Sequence, residues 1–230
     1  MILLIRHGEA EHHVKALTGG WTDSCLTADG KVQMEKLAAV LKKDFAGRKP
    51  PRLAASDLQR CQLGAAILKK ALGIKEMILF EALREKNNGK AAGKSVIAAK
   101  AFYHAPKTGR ELDHRNYDEG ETRREFYERT IDGIKDVLSG TEDLIIVAHK
   151  GSIQNILFYW MGYSIDEVAF KKVSFDIRPA SLTMIGINKW DEHAIFLLND
   201  LSYLRSDEKI GSLSNFGVLK CLCTPGEDMH

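Results

Sequence analysis

Five apolar residues in a row, Leu144-Ile145-Ile146-Val147-Ala148, stand between Asp143 and His149. A short run with no polar alternation suits a strand covered on both faces, as at the centre of a parallel sheet. A second apolar run, Ile2-Leu3-Leu4-Ile5, leads straight into Arg6-His7-Gly8. Each run therefore delivers a histidine at its carboxyl end, with glycine close behind. In open α/β sheets that edge is where ligands bind. Parallel neighbours would bring His7 and His149 together there.

The rest of the chain alternates strand and helix patterns. Thr27–Phe45 is predicted as a helix, with Thr27 as N-cap and Val32, Leu37, Val40, Leu41 and Phe45 as its apolar stripe. Leu53-Ala54-Ala55 is a second strand, and Leu58–Leu72 a helix ended by Gly73. Ile78–Phe80 is a third strand. Glu121–Leu138 and Ser152–Met161 are helices on either side of the central run. Ser181–Ile187 and Ala194–Leu198 read as a closing hairpin. This order predicts a three-layer α/β sandwich with a mostly parallel central sheet. A single domain over residues 1–230 is expected. Residues from about 85 to 120, rich in Gly, Asn, Lys and His, read as a cap insertion over the site. The polar stretch at about 206–230 reads as a tail.

Charge narrows the partners. The 33 basic and 31 acidic residues leave a formal net charge of +2, so nothing global points to nucleic acid or an anionic membrane. No apolar run approaches the roughly 20 residues of a membrane span. Arg6-His7 follows the first strand at once, so no secretory leader is expected. Cys25, Cys61, Cys221 and Cys223 form neither a disulfide framework nor a zinc set. A cytoplasmic protein with reduced thiols is the expectation.

Three strand ends converge in this topology. The first carries Arg6 and His7, the second leads through Ser56-Asp57 to Arg60, and the central one carries His149 before a helix. Two arginines and a helix N-terminus suit a phosphoryl group. An imidazole can attack phosphorus, and neighbouring arginines favour its neutral form. Glu85, where the third strand gives way to the insertion, is a candidate general acid for the leaving oxygen. His12-His13 lacks a third ligand for a metal. His13 is read as a pocket wall and His12 as exposed. His104 and His114 are read as solvated loop residues, Trp21 as a packing residue, and Cys61 as a small core residue.

The ordered set of motifs resembles the histidine phosphatase superfamily, in its phosphoglycerate-mutase-like branch. The resemblance runs through Arg6-His7-Gly8-Glu9, Gly20-Trp21-Thr22-Asp23, Leu26-Thr27-Ala28-Asp29-Gly30, Ser56-Asp57-Leu58-Gln59-Arg60-Cys61, Leu83-Arg84-Glu85, Gly120-Glu121-Thr122 and Val147-Ala148-His149-Lys150-Gly151. It implies that His7 is the phosphorylated nucleophile, that Arg6, Arg60 and His149 bind the phosphoryl group, and that Glu85 donates the proton. It also implies no metal and no organic cofactor.

The chain departs from the family pattern in places. His13 replaces a frequent asparagine, Gly19 a hydroxyl residue, and Lys150 the first of two glycines. Asn87–Gly93 offers alanines in place of a Trp-Glu pair. Arg123-Arg124 lies outside the insertion, where mutases carry their adjacent arginines. These changes favour a phosphatase of a small phosphorylated metabolite. Phosphoryl transfer of the phosphoglycerate mutase type is the alternative, and an inactive phospho-ligand binding module the second. A homodimer is a candidate assembly.

Overall fold

In the computed structural model, residues 1–204 are described. Cys221, Cys223 and the predicted tail lie outside them. The elements are β1 (Ile2–Arg6), α1 (Glu11–Val14), α2 (Ala28–Asp44), β2 (Arg52–Ser56), α3 (Gln59–Leu72), β3 (Ile78–Phe80), α4 (Val96–Ala99), α5 (Arg123–Leu138), β4 (Leu144–Ala148), α6 (Lys150–Trp160), α7 (Ile165–Lys171), β5 (Leu182–Ile187) and β6 (His193–Asp200). The strands form one sheet in the order β3-β2-β4-β1-β5-β6. The first four are mutually parallel, and β5 and β6 close the sheet antiparallel.

Alternation along each strand builds the three layers. Leu3 and Ile5, Leu53 and Ala55, and Ile145 and Val147 face α2 and α3. Ile2 and Leu4, Ala54, and Ile146 and Ala148 face α5 and α6. Every residue of β4 is therefore buried on one face or the other, which is why its sequence carries no polar alternation.

Local signals set the helix ends. The Thr27 hydroxyl accepts from the Gly30 amide at 2.9 Å and caps α2. Gly73 ends α3 in the left-handed region, at φ 66°. The buried stripe of α2 is Met34, Leu37, Ala38, Val40 and Leu41, with Phe45 at its end. Val32 was expected on that stripe, but it is exposed because five positions before Leu37 lies on another face of the helix.

Residues 85–120 add no strand to the sheet. They hold α4 and short 3-10 turns, and the segment bridges to the loop after α1 through Leu17 and Ser95. Ile146, at the centre of β4, is fully buried. Ile146→Ala is expected to cost about 2–5 kcal/mol, measured as a drop in unfolding free energy in urea.

Candidate active site

The sheet register assembles the site. Arg6 pairs with Ala148 across the parallel β1–β4 ladder. The next residue on each strand is therefore His7 and His149. The His7 amide extends the ladder by donating to the Ala148 carbonyl at 3.0 Å. The two buried rings meet edge-on, with centroids 5.1 Å apart. On the other side of β4, β2 ends in Ser56, whose hydroxyl lies 2.9 Å from His149 Nε2. Arg60 follows in the first turn of α3 and is also buried.

Arg60 is fixed by three bonds. Its Nη1 and Nη2 donate to the carbonyls of Thr22 and Gly20, at 2.5 and 2.8 Å. Its Nε donates to His7 Nε2 at 3.3 Å. The other ring nitrogen of His7, Nδ1, lies 2.7 Å from the Gly8 carbonyl, which only accepts. The ring proton therefore sits on Nδ1, and Nε2 carries the lone pair. Gly8 is required by packing: a Cβ there would drive into the Gly30 carbonyl at the start of α2.

Arg6 supplies a second guanidinium. Its Nη1 donates to the Ile177 carbonyl at 2.7 Å, and its buried Nε has no hydrogen-bond partner among the described residues. His13 Nε2 lies 3.2 Å from Arg6 Nη2. The Ala10 amide donates to His13 Nδ1, so a neutral ring carries its proton on Nε2. Two donors thus face each other across that gap.

Burial and positive neighbours keep these imidazoles neutral. Burial holds His7 well below its ordinary 6.5, and the charges of His149, Arg60 and Arg6 act the same way. His149 is lowered for the same first reason, followed by Arg60 and Arg6. His13 falls to about 4 and His12 to about 3, each chiefly by burial. The Cys61 thiol is pushed up to about 12 by burial, as suits an inert core residue.

Glu85 faces the same region. Its Oε2 accepts from the Gly151 amide at 3.0 Å, and its Oε1 from the Lys86 amide at 2.9 Å. When ionised, it opposes the lowering of both the Arg6 and Arg60 pKa values that burial causes. A Cβ at Gly151 would strike the Glu85 carboxylate and the Phe126 ring, so glycine here is a condition of Glu85's position. Trp21 Nε1 donates to the Glu85 carbonyl at 2.8 Å, and the Arg84 guanidinium stacks 4.6 Å from the Trp21 ring. Trp21 thus holds the backbone of Glu85 besides packing.

The structure brings together His7, His149, Arg60, Arg6 and His13, with Glu85 beside the N-terminus of α6. This arrangement offers donors for an oxyanion and one imidazole lone pair. Among the described residues, no three His, Cys, Asp or Glu side chains form a set that could hold a metal ion. No helix among them is long and apolar enough to cross a membrane.

The model of the histidine phosphatase superfamily (branch 1) matches residues 2–200. The chain belongs to that superfamily. Among its relatives is a broad-specificity phosphatase of Saccharomyces cerevisiae, 30% identical over 195 residues, covering 82% of this chain and 80% of the relative. A 2,3-bisphosphoglycerate-dependent phosphoglycerate mutase of Bartonella bacilliformis is 27% identical over 186 residues, covering 75% and 87%. The solved alpha-ribazole phosphatase from Shigella flexneri has the same fold, with a TM-score of 0.70 at 19% identity over 86% of this chain and 96% of that one.

One residue departs from the sequence reading. His12 is buried, not exposed. The short α1 turns it inward, where its Nδ1 lies 2.7 Å from the Ser24 hydroxyl. A Cβ at Gly19 would lie 3.3 Å from the His12 ring, so that glycine and the buried histidine go together. Lys150 is drawn to Asp176 at 2.5 Å. His104 is exposed and pairs with Asp118 at 2.7 Å, and His114 lies 2.9 Å from the His104 carbonyl.

Arg129 was not singled out in the sequence. It bonds Glu121 at 2.6 and 3.0 Å and reaches the Ala82 and Glu85 carbonyls at 2.9 and 3.2 Å. It therefore ties α5 to the segment carrying Glu85. The only sequence signal was a cation eight residues after Glu121 near the buried face of a helix.

The buried imidazoles set an acid limit on stability. Their folded pKa values are depressed, so the unfolded chain takes up protons first as pH falls below about 6.5. Stability is complete above that value and lost progressively below it. Urea unfolding at pH 7.5 and 5.0 should show a clear fall; equal midpoints would contradict this account.

Proposed function

We propose that this protein is a phosphatase that hydrolyses a small phosphomonoester through a phosphohistidine on His7. The observation that carries the reading is the tautomer of His7: Nδ1–H is spent on the Gly8 carbonyl and Nε2 holds a lone pair beside Arg60. A neutral imidazole ringed by guanidinium groups is poised to attack phosphorus rather than to take up a proton. Arg6 Nε, without a partner among the described residues, and the facing donors of Arg6 and His13 would each gain an acceptor from a phosphoryl oxygen. His149 and Arg60 complete the clamp around the equatorial oxygens. Residues 85–120 form the cap of this site.

In the first step Nε2 of His7 forms a bond to phosphorus and the bond to the leaving oxygen breaks. Glu85 gives that oxygen its proton and becomes a carboxylate. In the second step the carboxylate takes a proton from water as its oxygen attacks phosphorus. The phosphorus–nitrogen bond breaks, inorganic phosphate leaves, and His7 and Glu85 return to their starting states.

The mutase-named relatives favour a second reading, in which the phosphoryl group returns to another oxygen of the substrate. With 3-phosphoglycerate supplied, free phosphate supports hydrolysis and an isomeric phosphoglycerate supports transfer.

His7→Ala should abolish phosphate release and the acid-labile phosphoryl label on the chain. Release at the parental rate would overturn the mechanism. Glu85→Gln should lower kcat on an alkyl phosphate by about 10²–10⁴-fold. On p-nitrophenyl phosphate, whose leaving group needs no proton, the loss should be much smaller; equal losses would remove Glu85 from the acid role.

A further inference from the structure

A cavity of about 410 Å³ opens beside Glu85 and Gly151. Phe126 and Phe158 give it an apolar surface, and Lys86 and Arg123 stand on its wall. The charges around it differ in how far they are already satisfied. Lys150 is paired with Asp176. Glu111 accepts from the Thr108 and Arg110 amides, at 2.7 and 3.0 Å. Glu85 holds the amides of Lys86 and Gly151.

The Arg123 side chain makes no hydrogen bond or ion pair with any described residue. It is half-buried and opens α5, the end of a helix where a cation is disfavoured. Its neighbour Arg124 is the contrast: it turns away to Asp113 and Asp166, at 2.9 and 3.2 Å. The Lys86 ammonium donates only to the neutral Asn116 amide oxygen among the described residues, at 3.3 Å. Burial lowers its pKa, and the positive charge of Arg123 acts in the same direction. Glu121, Glu85 and Glu125 offset part of this, but Glu121 is already bound to Arg129 and Glu125 to Arg115. Two like charges, partly desolvated and close together, are costly unless an anion comes between them.

We propose that this cavity receives the alcohol part of the substrate, and that Arg123 and Lys86 select a leaving group bearing a second anion, a carboxylate or a second phosphate. The proposal rests on the phosphatase reading, with phosphorus held at His7 and the leaving oxygen at Glu85. The scissile bond then lies at the mouth of the cavity, and the far end of a short substrate meets the two cations. Lys86 and Arg123 act on specificity; neither touches the reacting atoms.

Three esters that differ only at the far end test it: propyl phosphate, 3-(phosphonooxy)propanoate and propane-1,3-diyl bisphosphate. At least one charged ester should exceed propyl phosphate in kcat/KM by about tenfold or more, chiefly through KM. Whichever ester is preferred identifies the anion. Arg123→Gln should reduce that ratio about tenfold, Arg123→Lys should keep part of it, and Arg124→Gln should leave it unchanged. Equal kcat/KM for the three esters, or an undiminished ratio in Arg123→Gln, overturns the selectivity and leaves the phosphatase reading standing. Failure to hydrolyse any of the three removes both.

Discussion

The parallel pairing of β1 with β4 governs everything at the site. With Arg6 opposite Ala148, the two histidines leave the sheet at the same level. A slip of one residue would send the side chains of β1 to the wrong faces and separate the imidazoles. The register is therefore secured by the whole core, because Leu3 and Ile5 pack with α2 while Ile2 and Leu4 pack toward α5 and α6. Stability and site geometry follow from the same hydrophobic pattern.

Electrostatics then divides the work among the residues at that edge. Guanidinium groups stay charged when buried, whereas imidazoles give up their protons. The result is a cluster of permanent cations holding neutral rings in defined tautomers. The Gly8 carbonyl matters as much as Arg60, since it decides which nitrogen of His7 keeps the lone pair. Glu85 is set into this field from outside the sheet by α6, Trp21 and Arg129.

Much of this was legible in the chain. β4 and β1 were visible as unbroken apolar runs, and Thr27 and Gly73 marked helix ends through capping chemistry that acts within a few residues. The convergence of His7, Arg60 and His149 followed from the α/β pattern. Other features were hidden for physical reasons. A four-residue helix such as α1 is too short to show a period, so the burial of His12 was not visible. α7 was missed although Ser164 and Glu167 form a capping box that signals its start. Arg129 acts largely on main-chain carbonyls, which have no sequence signature. The separate fates of Arg123 and Arg124 depend on Asp113 and Asp166, distant residues that only the fold brings near.

Arg60 spends two of its donors on the carbonyls of Gly20 and Thr22. The side chain proposed to face an oxyanion is thus also a structural tie for the loop around Trp21, and Trp21 in turn holds Glu85. Occupancy and rigidity are linked through one guanidinium. An anion seated there neutralises charge that the core otherwise carries unbalanced, and it draws together segments that are distant in the chain. On the proposed phosphoryl-binding role, the loaded protein is more resistant to unfolding than the empty one, by an amount that grows with the logarithm of anion concentration above the dissociation constant. For such a site, the resting level of phosphate in its surroundings is also a setting of how firmly the fold is held.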